Sequence, residues 1–201
     1  MDNAEARERW DGRYTAKGHL WGAEPNIFVA EICGAFEPGT ALDLGCGQGR
    51  NAIWLASLGH TVTGLDLSPV AIAQARDIAA ERGVHVEFEA VDLMSWDPAG
   101  RTWDLVVLAY LQLPPDARRR VHAAAMKALA PDGRLVIVAH HLANLERGVG
   151  GPQAPDRLFT ERQLAEDFAG LAVERNEEAL RHTDQGDAVD LVFVARNGEA
   201  G

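Results

Sequence analysis

From Ala41 onward, short apolar runs rich in β-branched residues alternate with longer amphipathic stretches. Such a run, flanked by turn signals, reads as a strand covered on both faces. A stretch with apolar residues at helical spacing reads as the crossover that covers it. The alternation predicts strands over residues 41–44, 61–67, 85–93, 103–110 and 134–141. Helices are expected over residues 4–15, 26–36, 50–59, 71–83, 114–130 and 161–170. Pro25 is expected in the first turn of one helix, and Ser68-Pro69 as N-cap and first residue of another. Turns fall at 37–40 and 131–133, and a Gly- and Pro-rich loop at 142–157. The last two strands, near 171–182 and 188–196, lack an intervening helix and read as a hairpin. The expected fold class is therefore α/β: a Rossmann-like, seven-stranded, mostly parallel sheet with helices on both faces and an antiparallel last strand at one edge. The 201 residues suit a single domain, with 1–39 as a helical cap or lid and 40–201 as the core.

The stretch ALDLGCGQGRN, residues 41–51, places three glycines where a strand ends and a helix begins. In a doubly wound sheet, ligands sit beyond the carboxyl ends of the strands, and this loop lies at such an end. Glycine lets backbone adopt positive φ and approach a ligand closely. Acids end the next two strands, Asp66 in TGLDLS and Asp92 in AVDL, and an acid at the first of these positions suits ribose hydroxyls. A dinucleotide site prefers GxGxxG. Here the third glycine position is Arg50, and Asp43 lies inside the motif. A carboxylate there suits a cationic amino group better than a pyrophosphate, and S-adenosylmethionine carries such an ammonium and no phosphate.

DLGCGQGRN, LDLS, VDL and APDGRL, in this order and at the expected strand ends, resemble the class I S-adenosylmethionine-dependent methyltransferases. DLGCGQGRN, the C-terminal EALRHTDQG, WDGRY (10–14) and WGAEPN (21–26) are similar to its TehB-like branch of tellurite and thiopurine methyltransferases. The resemblance implies an enzyme that uses S-adenosylmethionine and releases S-adenosylhomocysteine. It implies that Asp43 and the loop Gly45, Cys46, Gly47, Gly49 and Asn51 hold the methionine end. Within that loop Cys46 by itself reads as a small loop residue. Asp66 would take the ribose, Leu67 would pack on the adenine, and Asp92 and Leu93 would meet the adenine edge. Ala109 backbone would lie near the methionine end, with Tyr14 and Arg13 closing over its carboxylate. Trp10, Trp21, Trp96 and Tyr110 read first as core or lid packing.

A sulfonium methyl is already activated, so alignment of a nucleophile does most of the work. A thiolate or another soft nucleophile needs little help, whereas a hydroxyl or ammonium acceptor must lose a proton, a task suited to histidine. The candidates are His140 and His141 at the end of strand five, and Arg181 and His182 in the C-terminal hairpin, with His19 in a lid segment. By strand alternation only one of His140 and His141 faces the ligand side. His60, His85 and His122 read as surface or packing residues.

The net charge of −11 disfavours nucleic acid and anionic membrane surfaces as partners. The one dense basic run, Arg118 to Arg120, reads as a solvated helix face. Neither a membrane-spanning run nor a secretory signal is expected. Cys33 and Cys46 are placed so that a disulfide is not expected, which points to the cytosol. No His/Cys cluster has zinc spacing, so no metal is expected. The expected partner is a small-molecule acceptor, thiol-type or soft, for a monomer or homodimer. An O- or N-methyltransferase of a small metabolite, a non-catalytic cofactor-binding module and a dinucleotide oxidoreductase remain as alternatives.

Overall fold

The computed structural model describes residues 3–16 and 20–198. The chain forms two compact units, residues 1–97 and 98–201. Between them they contribute seven strands to one mixed sheet.

The first unit runs α1 (Asn3–Ala16), α2 (Ile27–Cys33), β1 (Thr40–Leu44), α3 (Arg50–Ser57), β2 (Thr61–Asp66), α4 (Pro69–Glu81) and β3 (Val86–Ala90). Its strands lie in the order β3-β2-β1, all parallel, with Leu44 opposite Leu65 and Asp66 opposite Ala90. Leu42, Leu44, Ile53, Leu55, Leu65 and Ile72 are fully buried. Each such side chain stabilises the fold by about 1.5–3 kcal/mol relative to an exposed one. Ser68 caps α4 by accepting the Ala71 N–H, and Pro69 opens the helix, as expected. At α2 the cap is Asn26, whose side chain accepts from Phe28 and Val29, so Pro25 lies before the helix rather than in its first turn. A side-chain oxygen that satisfies two free N–H groups decides the start of a helix more strongly than the fixed φ of proline. β3 ends at Ala90, before Asp92, because Asp92 turns the chain by accepting the Met94 N–H.

The second unit runs β4 (Trp103–Ala109), α5 (Pro115–Lys127), β5 (Leu129–His140), α6 (Asn144–Arg147), α7 (Glu161–Asp167), β6 (Ala172–Thr183) and β7 (Gly186–Arg196). Its strand order is β4-β5-β7-β6. β7 is antiparallel to both neighbours and lies between them, so the edge strand is β6 and not the last strand. The apolar run of β7 accounts for this: residues 188–195 are all buried, as a central strand requires, while β6 is mixed. The segment 131–133 is not a free turn but an irregular stretch of β5, with Asp132 at φ 61 and its N–H donated to Asn197. The expected loop 142–157 contains α6 and a short 3₁₀ turn, Pro155–Arg157.

Arg118 departs from the solvated face expected of it. Its side chain is 6% exposed and 3.7 Å from Asp167. Its guanidinium lies over the Phe159 ring, 5.1 Å from the centroid. Packing against Phe159 and Asp167 draws one arginine of the run inward. No helix among the described residues is long and apolar enough to cross a membrane.

Candidate functional site

The turn after β1 consumes its own donors. The N–H groups of Gly45 and Cys46 donate to the Leu65 carbonyl, at 2.8 and 3.0 Å. The Gly47 N–H donates to Asp66 Oδ2 at 2.8 Å, and the Gly49 N–H to the Cys46 carbonyl at 2.9 Å. Phosphate-binding loops present free N–H groups to the anion. Here those four are spent within the first unit and are not offered to an anion. Gly47 and Gly49 sit at φ 55 and 79. A Cβ at Gly49 would lie 2.6 Å from Phe88 Cζ, and one at Gly47 would lie 2.8 Å from the Tyr14 hydroxyl.

Asp43 is 1% exposed. Its carboxylate accepts the Ala52 N–H at the start of α3, while Oδ2 has no hydrogen-bond partner. Burial pushes its pKa up to about 7, against the pull of the Arg50 charge. A buried carboxylate oxygen without a partner is costly unless a cation or donor meets it. Asp66 accepts N–H groups on both oxygens, from Gly47 and from Ser68 at 2.9 Å. Burial raises its pKa, and these donors pull it back. A carboxylate has about four acceptor sites, so each oxygen keeps capacity for a hydroxyl. Leu67 follows half-buried, and Leu93 is buried beside the Asp92 turn.

Tyr14 is buried and stacks on Trp10 with ring centroids 5.8 Å apart. Burial pushes its phenol well above the usual range. Arg13 lies over two indoles, 4.8 Å from Trp10 and 5.3 Å from Trp21. Asn51 spends its side-chain oxygen on the Asn26 N–H at 2.9 Å. The Cys46 thiol is pushed far up by burial, which leaves little thiolate. Both cysteines are free. Sequence reasoning missed Gln48, which accepts the Leu20 N–H at 2.8 Å and donates to Gln74 at 2.9 Å. Together with the Arg50 bond to the Trp21 carbonyl, this ties the segment before α2 to the glycine loop. No spacing in the sequence signals these contacts.

In the second unit, Tyr110, Arg181 and His140 converge on Asp190. It is 0% exposed and accepts from the Tyr110 hydroxyl and from Arg181 Nε, each at 2.7 Å. His140 Nδ1 lies 3.0 Å from its other oxygen. Arg181 Nε also reaches the Tyr110 hydroxyl at 2.9 Å. His140, Arg181 and the Tyr110 hydroxyl hold Asp190 below the usual carboxylate range despite its burial. Tyr110, next to Ala109 at the end of β4, is in the left-handed region at φ 56. Of the four acceptor-side candidates, His140 and Arg181 belong to this cluster. His141 instead sits between Glu161, 3.1 Å from Nε2, and Glu178, 3.5 Å from Nδ1. His182 is 85% exposed and pairs with Asp187 of its own hairpin. His19 lies outside the described residues. Asp190 and Tyr110 were not among the expected acceptor-side residues; a lone acid inside the apolar run AVDLVFVA was the available signal. No group of three or more His, Cys, Asp or Glu among the described residues is arranged to hold a metal ion.

A family model described as a methyltransferase domain matches residues 41–133. The chain is 31% identical over 117 residues to a 2-heptyl-1-hydroxyquinolin-4(1H)-one methyltransferase of Mycobacteroides abscessus, covering 57% of this chain and 52% of that protein. It is 28% identical over 148 residues to thiocyanate methyltransferase 1 of Arabidopsis thaliana, covering 71% and 63%. The chain thus spans about half to three-fifths of these relatives. A structure described under the conversion of a disulfide bond into a thioacetal group during echinomycin biosynthesis superposes with a TM-score of 0.75 at 29% identity, covering 95% and 92% of the two chains. TehB from Haemophilus influenzae shares the fold, with a TM-score of 0.73 at 19% identity over 93% of this chain and 66% of that one.

Proposed function

We propose that this chain is a class I S-adenosylmethionine-dependent methyltransferase that transfers a methyl group from that cofactor to a small molecule bearing a thiol or other soft nucleophile. The observation that carries the reading is the pairing of a loop in which the Gly45, Cys46, Gly47 and Gly49 N–H groups are spent with a buried Asp43 oxygen that lacks a partner. That surface suits an ammonium and not a pyrophosphate.

The residues present fit the cofactor. In this reading Asp43 and the loop carbonyls meet its ammonium, and Asp66 its ribose hydroxyls. Leu67, Asp92 and Leu93 border the adenine, and the Tyr14 hydroxyl lies against Gly47 at the methionine end. Arg13, whose guanidinium the indoles hold, and Asn51, whose oxygen is spent on α2, act by fixing the N-terminal segment. Cys46 serves as a small side chain that the tight loop tolerates. The cofactor supplies a methyl group already activated by a sulfonium, so the protein's task is alignment.

The soft-acceptor reading is supported by the thiocyanate methyltransferase relative and by the sulfur chemistry in the description of the echinomycin-pathway structure. The second reading, an O-methyltransferase, is favoured by the hydroxyquinolinone methyltransferase relative. Two free, buried cysteines suit a reducing, cytosolic setting. The test is release of S-adenosylhomocysteine by purified protein with soft acceptors (small thiols, selenite, tellurite) against hard ones (phenols, carboxylates, amines). Turnover concentrated on the soft set is expected. Turnover on phenols alone would replace it with the second reading, and no turnover on either set would overturn both.

A further inference from the structure

We propose that Tyr110, His140, Arg181 and Asp190 form a proton-accepting site, in which His140 deprotonates the methyl acceptor and Asp190 and Tyr110 position it. This rests on the methyltransferase reading above and narrows the acceptor to one that arrives with its proton, as a thiol or hydroxyl.

The strand register builds the site. His140 on β5 is the direct cross-strand partner of Asp190 on β7, and Arg181 on β6 sits diagonally across from Asp190. His140 Nδ1 and Asp190 Oδ1 face each other at 3.0 Å without the alignment of a hydrogen bond, and a small turn of the ring supplies it. The other Asp190 oxygen is fixed by Tyr110 and Arg181, so the carboxylate cannot swing away. An acid at Nδ1 selects the tautomer with its proton there and leaves the Nε2 lone pair available. Among the described residues Nε2 has no hydrogen-bond partner. The ring is clamped between Tyr110, 5.0 Å away by centroids, and Gly151, where a Cβ would come within 2.8 Å of the imidazole. That glycine is at φ 72, so its conformation and the close approach both favour a residue without a side chain. Arg181 spends only Nε inside the cluster, so its two terminal nitrogens remain to face an anion.

The step balances without another reagent. The S–H or O–H bond of the acceptor breaks and its proton goes to His140 Nε2. The electron pair left on sulfur or oxygen forms the new bond to the methyl carbon. The carbon–sulfonium bond breaks, and its pair stays on the cofactor sulfur. The imidazolium, stabilised by Asp190, then releases its proton to water. His141 cannot substitute, since both of its nitrogens face glutamates.

Two readouts test this. Diethyl pyrocarbonate, which acylates a neutral imidazole nitrogen, is applied to the full chain and read residue by residue by mass spectrometry. We expect His140 to be labelled, and its labelling to slow by about tenfold or more in Asp190→Asn while the exposed His182 is unaffected. Circular dichroism verifies that the variant folds, and Tyr110→Phe, a milder change, should slow labelling less. Absence of labelling at His140, or equal rates in folded Asp190→Asn and the parent, would overturn the proposal. In the second readout, S-adenosylhomocysteine release is measured with 2-mercaptoethanol and with thiocyanate, which has no proton to lose. His140→Gln should lose about 10²-fold more turnover on the thiol than on thiocyanate. Equal losses, or a parent enzyme that accepts thiocyanate alone, would overturn it too. If the parent releases no product with either probe, the soft-acceptor reading fails, and the labelling result still decides the cluster.

Discussion

In the proposed reading, binding and stability pull in opposite directions at Asp43. Its carboxyl is held at about 7 by burial, well above its unfolded value. Such an acid binds more protons folded than unfolded between about pH 4 and 7, so its contribution to stability falls as pH rises through that window. A cation reverses the preference. Affinity for S-adenosylmethionine should therefore rise between pH 6 and 8, as Asp43 gives up its proton, in calorimetric titrations at each pH. Asp43→Asn should weaken the cofactor by roughly 10- to 100-fold, the range for hydrogen bonds to charged groups. At pH 8 the same variant should melt higher than the parent when no cofactor is present, because no buried charge remains to be desolvated. A parallel loss of both properties would mean that Asp43 is a structural acid only. Its place inside a glycine motif made it legible in the sequence. Asp190 was not, because nothing in AVDLVFVA shows which neighbouring strands bring histidine, tyrosine and arginine to it.

Among elements, the β1–α3 turn is tightly constrained. Gly49 combines φ 79 with a Cβ position 2.6 Å from Phe88 and 3.2 Å from Ala75. Gly49→Ala should cost about 1–3 kcal/mol from overpacking, with left-handed strain added. Chemical denaturation reads this, and an unchanged midpoint would mean that the loop yields freely. The N-terminal segment is tied to the same turn by Gln48, Arg50 and Asn51. Asn51→Ala, which orphans the buried Asn26 N–H, should lose about 1–3 kcal/mol of stability. The elements themselves were legible wherever apolar periodicity was strong and a cap or glycine marked the end, as at Ser68-Pro69 before α4. Three features were not. The insertion of β7 between β5 and β6 depends on pairing among distant strands. The inward turn of Arg118 depends on Phe159 and Asp167, some forty residues on along the chain. Asp92 lies past its strand because an Asp side chain can bond the backbone two residues ahead and end pairing.

At the scale of the molecule, each unit contributes a distinct chemistry: a glycine turn with a buried acid in the first, and a buried carboxylate with His, Tyr and Arg in the second. The net charge of −11 supplies no long-range attraction for anions, so an anionic acceptor would have to be recognised locally, the part the proposed site gives to Arg181. Saturating cofactor should raise the melting temperature by mass action. At about 100 times the dissociation constant the stabilisation is roughly 2.7 kcal/mol. The central claim is that the glycine loop recognises a cation and not a pyrophosphate. The direct measurement is a calorimetric titration of the purified chain at pH 8 with S-adenosylmethionine and, separately, with NAD. Saturable binding of S-adenosylmethionine, abolished or much weakened in Asp43→Asn, with no heat from NAD, is the predicted result. Binding of NAD, or S-adenosylmethionine binding that Asp43→Asn leaves untouched, would contradict it.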